Sequence, residues 1–200
     1  MSNDTKTVLL SGVGGQGAIL AADILSRVAM SCGQDVKLSE IHGMAQRGGS
    51  VVSHVRIGQD IYSPMIPHRG ADVLICFEPA EAVRCLPYLK TDGCAIVCPT
   101  PIRPVTASLS GGGYTGGEMM EYLEKTVKNL VVVDGTAICE ECGSPKVLNV
   151  VLLGAAVASG LTGLTMEEME QAVEKRVPEK FKEMNLKALK LGALAYGRSR

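Results

Sequence analysis

The sequence contains no tryptophan, and aromatic residues make up only 4% of its 200 residues. Proteins that bind single-stranded nucleic acid stack the bases on exposed aromatic rings, so that kind of surface is not expected here. The formal net charge is -1, which gives no electrostatic reason to expect nucleic acid or an anionic membrane as a partner. The core must be built from aliphatic residues, alanine and methionine.

Long hydrophobic runs are also missing. No apolar run reaches about 18 residues, the length that predicts a membrane-spanning helix. The first ten residues lack the basic and apolar segments of a signal peptide. The cysteine count is seven, an odd number, and Cys76 lies in the apolar run VLICF. A disulfide framework is therefore not expected, and the sequence predicts a cytoplasmic protein with reduced thiols.

Short apolar runs alternate with longer helical patterns along the chain. Strands are predicted at residues 7–11, 35–39, 50–57, 72–77, 94–98 and 130–134, and helices at 18–29, 79–89, 118–128, 146–160, 165–176 and 179–196. A turn at residues 58–60 suggests that 50–57 forms an antiparallel hairpin with 61–65. The sequence predicts one domain over residues 1–200, a three-layer α/β/α fold with a Rossmann-like, mixed and mostly parallel sheet.

A glycine-rich segment separates the first predicted strand from the first predicted helix. Its pattern, Gly-x-Gly-x-x-Gly, stands where a dinucleotide fingerprint would stand. Glycine permits positive φ and close approach of a phosphate, and the helix N-terminus offers free N–H groups. The same glycines could instead serve only a tight turn. Candidate binding residues are Gly12, Gly14, Gly15, Gln16 and Gly17, together with Glu40, which falls near the position of a ribose-binding acid.

A second loop follows the second predicted strand and reads EIHGMAQRGGS over residues 40–50. It should lie at the carboxyl edge of the sheet beside the glycine segment, where open α/β sheets bind ligands. Arg47 and His42 could bind an anion; alternatively, His42 caps the loop and Arg47 pairs with Glu40. The candidate binding residues of this loop are His42, Gly43, Met44, Gln46, Arg47, Gly48, Gly49 and Ser50.

No catalytic residue is predicted in this chain. His54 and Arg56 alternate on a predicted strand, and His68 and Arg69 fall on a connecting loop, so structural roles are expected for all four. Cys139-x-x-Cys142 has the close spacing of a ligand pair, but a metal site normally needs four ligands and no histidine lies nearby. No metal is therefore expected on this chain.

The two loop motifs occur together in one known family. GVGGQG-x-x-x-A followed by E-x-HGMAQRGGSV-x-x-HVR resembles the gamma-type domain of pyruvate and other 2-oxoacid:ferredoxin oxidoreductases, the indolepyruvate branch above all. The resemblance implies CoA-dependent oxidative decarboxylation of a 2-oxoacid, with thiamine diphosphate, Mg and 4Fe-4S clusters, and ferredoxin as electron acceptor.

This sequence lacks the parts for most of that chemistry. It has neither the run of cysteines that binds a 4Fe-4S cluster nor a segment resembling a thiamine diphosphate motif. The resemblance therefore implies a larger alpha subunit that carries the thiamine diphosphate, Mg and clusters. The present chain would bury a face of that partner and bind an anion, such as the phosphates of CoA, at its two glycine-rich loops.

Two other functions remain open from the sequence. A NAD(P)- or flavin-dependent oxidoreductase is favoured by Glu40, although the loop that begins there does not resemble the ribose side of a typical dinucleotide fold. A non-catalytic scaffold subunit would use the glycine loops to bind only protein. The sequence thus predicts one fold and leaves three ligand assignments open, because a fold does not by itself imply a function.

Overall fold

A computed structural model describes residues 5–43, 48–103 and 113–199. The strands are β1 (Lys6–Val13), β2 (Val36–His42), β3 (Ser50–Ile57), β4 (Ala71–Cys76), β5 (Leu89–Val97) and β6 (Leu130–Val132). The α-helices are α1 (Ala18–Ser31), α2 (Pro79–Cys85), α3 (Gly117–Thr126), α4 (Gly135–Cys142), α5 (Leu148–Ala158), α6 (Met166–Arg176) and α7 (Glu179–Arg198). Leu86–Tyr88 and Pro145–Val147 form short 3-10 turns.

The six strands form one mixed sheet in the order β2-β3-β1-β4-β5-β6. β1, β4, β5 and β6 are parallel neighbours, whereas β3 runs antiparallel to both β1 and β2. The predicted α/β fold with a mostly parallel sheet and an antiparallel hairpin is confirmed. Because β2 points the same way as β1, the loop between β2 and β3 lies at the carboxyl edge, as the sequence predicted.

The hairpin partner predicted for residues 50–57 was wrong. Residues 61–65 form no strand, and β3 pairs with β2 on one side and β1 on the other. Both edges of β3 are thus already hydrogen-bonded, which leaves no edge for 61–65. Pro64 has no N–H to donate to a ladder, so this segment is also a poor strand by itself.

Helices cover both faces of the sheet because the parallel strands are apolar on both. In β1, Val8 and Leu10 pack toward α1, α5, α6 and α7, while Leu9 packs toward α2 and α3. Successive side chains of a strand point to opposite faces, so a run such as VLL fills two cores. Among the described residues, no helix is long and apolar enough to cross a membrane.

His54 lies within the sheet on β3 and is only 1% exposed. Its Nδ1 accepts a hydrogen bond from the Ile66 N–H at 3.2 Å, and its ring meets the Tyr88 ring edge-on, with 5.6 Å between the centroids. Burial lowers the pKa of His54, because the charged imidazolium would lose its hydration. The neutral imidazole therefore belongs to the folded state.

Acidification is expected to destabilise the protein partly through His54. In the unfolded chain a histidine takes up a proton near pH 6.5, whereas the lowered pKa of His54 resists protonation in the folded state. The unfolded state then binds more protons, so this contribution is complete above about pH 6.5 and is lost below it. Thermal melting between about pH 7.5 and about pH 5.5 should show a smaller decrease for His54→Gln than for the wild type. Parallel decreases would contradict the assignment.

Candidate functional site

The turn between β1 and α1 depends on glycine. Gly15 has φ of 108° and Gly17 has φ of 89°, and residues with a Cβ rarely adopt such values. Gly17 is the N-cap of α1 and offers no side chain to the N–H groups of the first helical turn. Within the described part of the chain, the N–H groups of Gly15 and Gly17 donate to no acceptor. The turn therefore presents backbone donors at a helix N-terminus.

Gln16 holds this turn against the end of β4. Its Nε2 donates to the Phe77 carbonyl at 2.8 Å, and its Oε1 accepts from the Val13 N–H at 2.7 Å. Gly12 allows the close approach, since a Cβ there would lie 2.9 Å from the Cβ of Phe77. Both ends of the Gln16 amide are thus used within the protein, and this residue shapes the turn.

The second loop meets the glycine turn directly. The Gly14 N–H donates to the Gly49 carbonyl at 2.8 Å, and the Gly48 N–H donates to the Gly14 carbonyl at 3.2 Å. The β1–β3 ladder continues this contact by pairing Val13 with Ser50. The predicted convergence of the two loops at one edge of the sheet is confirmed. Met44, Gln46 and Arg47 lie outside the described residues; Gly43 lies just before them and is exposed.

A groove of about 670 Å³ lies beside the turn. We call it the glycine groove; its lining includes Gly14, Gly15, Gly17, Glu40 and His42. Asp23 also lines it, and its carboxylate is paired with Arg27 at 2.6 Å. Glu40 brings a negative charge, so an anion is favoured at the glycine end, near the backbone donors and away from Glu40.

Two buried carboxylates at the same edge were not predicted as part of the site. Glu78 and Glu81 are 2% and 4% exposed. Glu81 accepts a hydrogen bond from the Ser50 hydroxyl and pairs with Arg84 at 3.0 Å, which fastens the start of β3 to α2. Glu78 caps α2 by accepting from the Glu81 N–H at 3.0 Å. An acid directly after the buried strand VLICF was the signal that could have revealed them.

Tyr114 completes this carboxylate cluster. Its hydroxyl donates to Glu78 and accepts from the Ala80 N–H at 3.2 Å. Burial, followed by the hydrogen bond to Glu78, raises the pKa of Tyr114 above its usual range. The phenol therefore stays protonated and serves as a donor.

The cysteines do not form a metal site in the described ranges. No group of three or more histidine, cysteine, aspartate or glutamate side chains in those ranges could hold a metal ion. Burial raises the pKa of Cys139 to about 11 and also raises that of Cys142. The described residues do not fit an iron–sulfur cluster.

The fold is shared with a subunit of known enzymes. The crystal structure of the keto/oxoacid ferredoxin oxidoreductase gamma subunit from Geobacter sulfurreducens superimposes with a TM-score of 0.69, at 27% identity, over 96% of this chain and 99% of that chain. The fold and the edge-located site thus define the class: small α/β subunits of the gamma type.

Sequence comparison gives the family. Indolepyruvate oxidoreductase subunit IorB of Archaeoglobus fulgidus is 39% identical over 92% of both chains, and its counterpart in Thermococcus kodakarensis is 37% identical over 94% of both. The family model described as pyruvate ferredoxin/flavodoxin oxidoreductase matches residues 7–195. The chain belongs to this pyruvate ferredoxin/flavodoxin oxidoreductase family, and the resemblance seen in the two loop motifs is confirmed.

Proposed function

We propose that this chain is the small subunit of a 2-oxoacid:ferredoxin oxidoreductase that acts on indolepyruvate or a related aryl pyruvate. The proposal is supported by the relatives named as indolepyruvate oxidoreductase subunits, which match over nearly the whole chain. A larger alpha subunit is its partner in a hetero-oligomer and holds the thiamine diphosphate, Mg and 4Fe-4S clusters. Within the described ranges of this chain, no group of three or more metal-ligating side chains could hold a cluster, which supports that assignment.

The contribution of this chain to the reaction is to bind an anionic part of CoA at the glycine groove. The observation that carries this is the hydrogen-bonded junction of Gly14 with Gly48 and Gly49. It fixes the turn in a shape in which the Gly15 and Gly17 N–H groups donate to no acceptor in the described chain. Phosphate oxygens accept hydrogen bonds from such donors, and the positive end of the α1 dipole favours the negative charge.

A dinucleotide is a poorer fit to this edge. A dinucleotide fold places the ribose-binding acid on the strand next to β1, but here β3 lies between β1 and β2. Neighbouring strands are about 4.8 Å apart, so the intervening strand moves Glu40 roughly 5 Å farther from the glycine turn. This geometry favours a ligand anchored by its phosphates alone.

Loss of a cation or an imidazole from the second motif is expected to weaken CoA binding in the reconstituted complex. His42→Ala removes an imidazole from the groove lining, and Arg47→Ala removes a cation five residues farther along the sequence. Each should raise the apparent KM for CoA about tenfold, the effect of one lost charge-assisted hydrogen bond, with a smaller change in kcat. Ferredoxin reduction driven by an aryl pyruvate gives both constants.

Lys37→Ala is the matched control for these variants. Lys37 is an exposed cation on β2, next in the ladder to Arg56 and outside the glycine groove, so its loss should leave both constants unchanged. Unchanged CoA affinity in both His42→Ala and Arg47→Ala would contradict the anion site. Oxidation of a substrate with NAD(P) by this chain without a partner would contradict the subunit assignment itself.

A further inference from the structure

A second cavity lies beside the glycine groove, and α1 borders both. It has a volume of about 590 Å³, within the range of sites that hold small organic molecules. We call it the helix cavity, because helices α1, α5, α6 and α7 form its walls; the lining includes Leu20, Val150, Met169, Ala172, Phe181 and Met184. Most of the lining is apolar, and the charged side chains of Asp23, Arg27 and Lys146 complete it, so the space suits an apolar ring with a polar or charged substituent.

One buried polar group in the wall is unsatisfied. Asn149, in the first turn of α5, lines the helix cavity and is only 4% exposed. Its Oδ1 is buried and has no hydrogen-bond partner in the part of the chain that the structure describes. A buried carbonyl oxygen without a donor costs stability, and such groups are rare in folded proteins. Because the Asn149 side chain lines the cavity, a rotation of its amide would bring Oδ1 to a ligand N–H group and remove that cost.

The helix cavity adjoins the glycine groove at α1. Leu20 and Asp23 line both spaces. Asn149 lies at the junction, since a Cβ placed on Gly17 would be 3.5 Å from the Cβ of Asn149. A molecule seated in the helix cavity could therefore extend a negatively charged tail toward the backbone donors of the glycine turn.

We propose that the helix cavity is a binding site for a planar nitrogen heterocycle whose ring or amino N–H donates to Asn149 Oδ1. A simple hydrocarbon would leave Oδ1 unpaired, whereas the cations Arg27 and Lys146 in the lining can face an acidic substituent on a ring. A heteroaromatic ring is apolar on both faces and donates in its plane. Its faces would contact Met169, Met184 and Phe181, and thioether sulfurs and aromatic rings pack favourably together.

Two kinds of ligand contain a planar nitrogen heterocycle with an N–H donor: an aryl acid with an indole ring and a nucleotide with an adenine ring. The site rests on Asn149 and the cavity alone, so it does not depend on CoA binding at the glycine groove. Indoleacetate and ADP distinguish the two kinds of ligand. Because the protein has no tryptophan, the fluorescence of bound indoleacetate can be read without an indole background.

The test compares the full chain with its Asn149→Leu variant. The wild type should bind indoleacetate, ADP or both, whereas the variant should bind the same probe at least about tenfold more weakly, the worth of one hydrogen bond. The same change should raise the melting temperature, because an unpaired buried oxygen is replaced by an apolar group of similar size. A purely structural asparagine would instead lower it. If indoleacetate is the bound probe, its N-methylated analogue, which lacks the donor, should bind as weakly as the variant binds indoleacetate.

Two further variants keep the result interpretable. Ala172→Met partly fills the cavity without touching Asn149 and should also weaken binding. Asn185→Leu changes the other asparagine in the lining, whose Nδ2 already donates to the Phe181 carbonyl at 2.8 Å, and should leave affinity nearly unchanged. Failure of both probes to bind the wild type would overturn the proposal, as would equal binding by the wild type and Asn149→Leu.

Discussion

Gly192→Ala is expected to destabilise the protein by about 3 kcal/mol, the upper end of the usual cost of overpacking a core. A Cβ at position 192 of α7 would lie 1.9 Å from the Val151 carbonyl oxygen of α5. The obstacle is backbone, which cannot rotate away as a flexible side chain could. The two helices would have to separate, and the contacts between them would be lost.

The reason lies in the way α5 is buried. Its residues from Asn149 to Val157 are all buried, so α5 is enclosed by the sheet and by other helices. It contacts α7 closely because each helix contributes one glycine to the crossing: a Cβ on Gly154 would lie 2.1 Å from the Leu189 carbonyl. Small residues at a helix crossing let the two backbones approach, and a larger side chain there would force the helices apart.

Gly197→Ala provides the matched control in the same helix. Nothing lies within 4 Å of a Cβ placed there, so the change should be neutral or stabilise α7 by up to about 1 kcal/mol through helix propensity. Denaturant unfolding monitored by circular dichroism gives the free energy of both variants. Equal stability of Gly192→Ala and Gly197→Ala would contradict the tight crossing.

Much of the fold was predictable because its signals are local. Thr165 and Glu168 form the predicted capping box: the Glu168 N–H donates to Thr165 Oγ1 at 3.2 Å, and the Thr165 N–H donates to Glu168 Oε2 at 2.8 Å. The buried helix expected at 146–160 is α5, and the strand expected at 72–77 is β4. Periodicity and caps involve neighbours in sequence, which a single chain displays directly.

The remaining features depend on contacts that are distant in sequence. α4 was missed because its eight residues are too few to show a helical period, although Asp134 caps it by accepting from the Ala137 N–H at 3.0 Å. The partner of β3 was misassigned because strand pairing is not encoded in one strand. In the sequence, Gly192 indicates only a residue that lowers helix propensity. Its role in the close contact with α5 is visible only in the folded chain.

The candidate site likewise combines features that local sequence signals predict with features that depend on distant contacts. The two glycine-rich loops were predicted to meet because both follow parallel strands, and the Gly14–Gly49 hydrogen bond confirms it. The roles of individual side chains were less visible. Gln16 was a candidate ligand contact, yet the structure uses its amide to join the turn to Phe77. Asn149 gave no sequence signal, since its position beside Gly17 arises only in the folded chain.

Gln16→Glu is expected to have the largest functional effect of the substitutions considered. The new carboxylate can still accept from the Val13 N–H, but it has no donor for the Phe77 carbonyl and would place a negative charge against that oxygen. Loss of the hydrogen bond and the repulsion should together cost about 2 kcal/mol of stability. The glycine turn would lose its fixed shape, and activity of the complex should fall by more than about tenfold.

The charge of the glutamate, rather than its shape, causes this loss of stability, and pH separates the two. A protonated glutamate carries an O–H that can donate to the Phe77 carbonyl as the amide does, so the stability deficit of Gln16→Glu should shrink as pH falls through the carboxyl's pKa. Gln59→Glu adds the same charge at an exposed turn and should show neither the deficit nor its pH dependence. Melting curves of both variants from neutral to acidic pH measure this. No deficit, or a deficit that does not change with pH, would mean that the Gln16 hydrogen bond to the Phe77 carbonyl does not hold the turn, and that Gln16 does not position the backbone donors of the site.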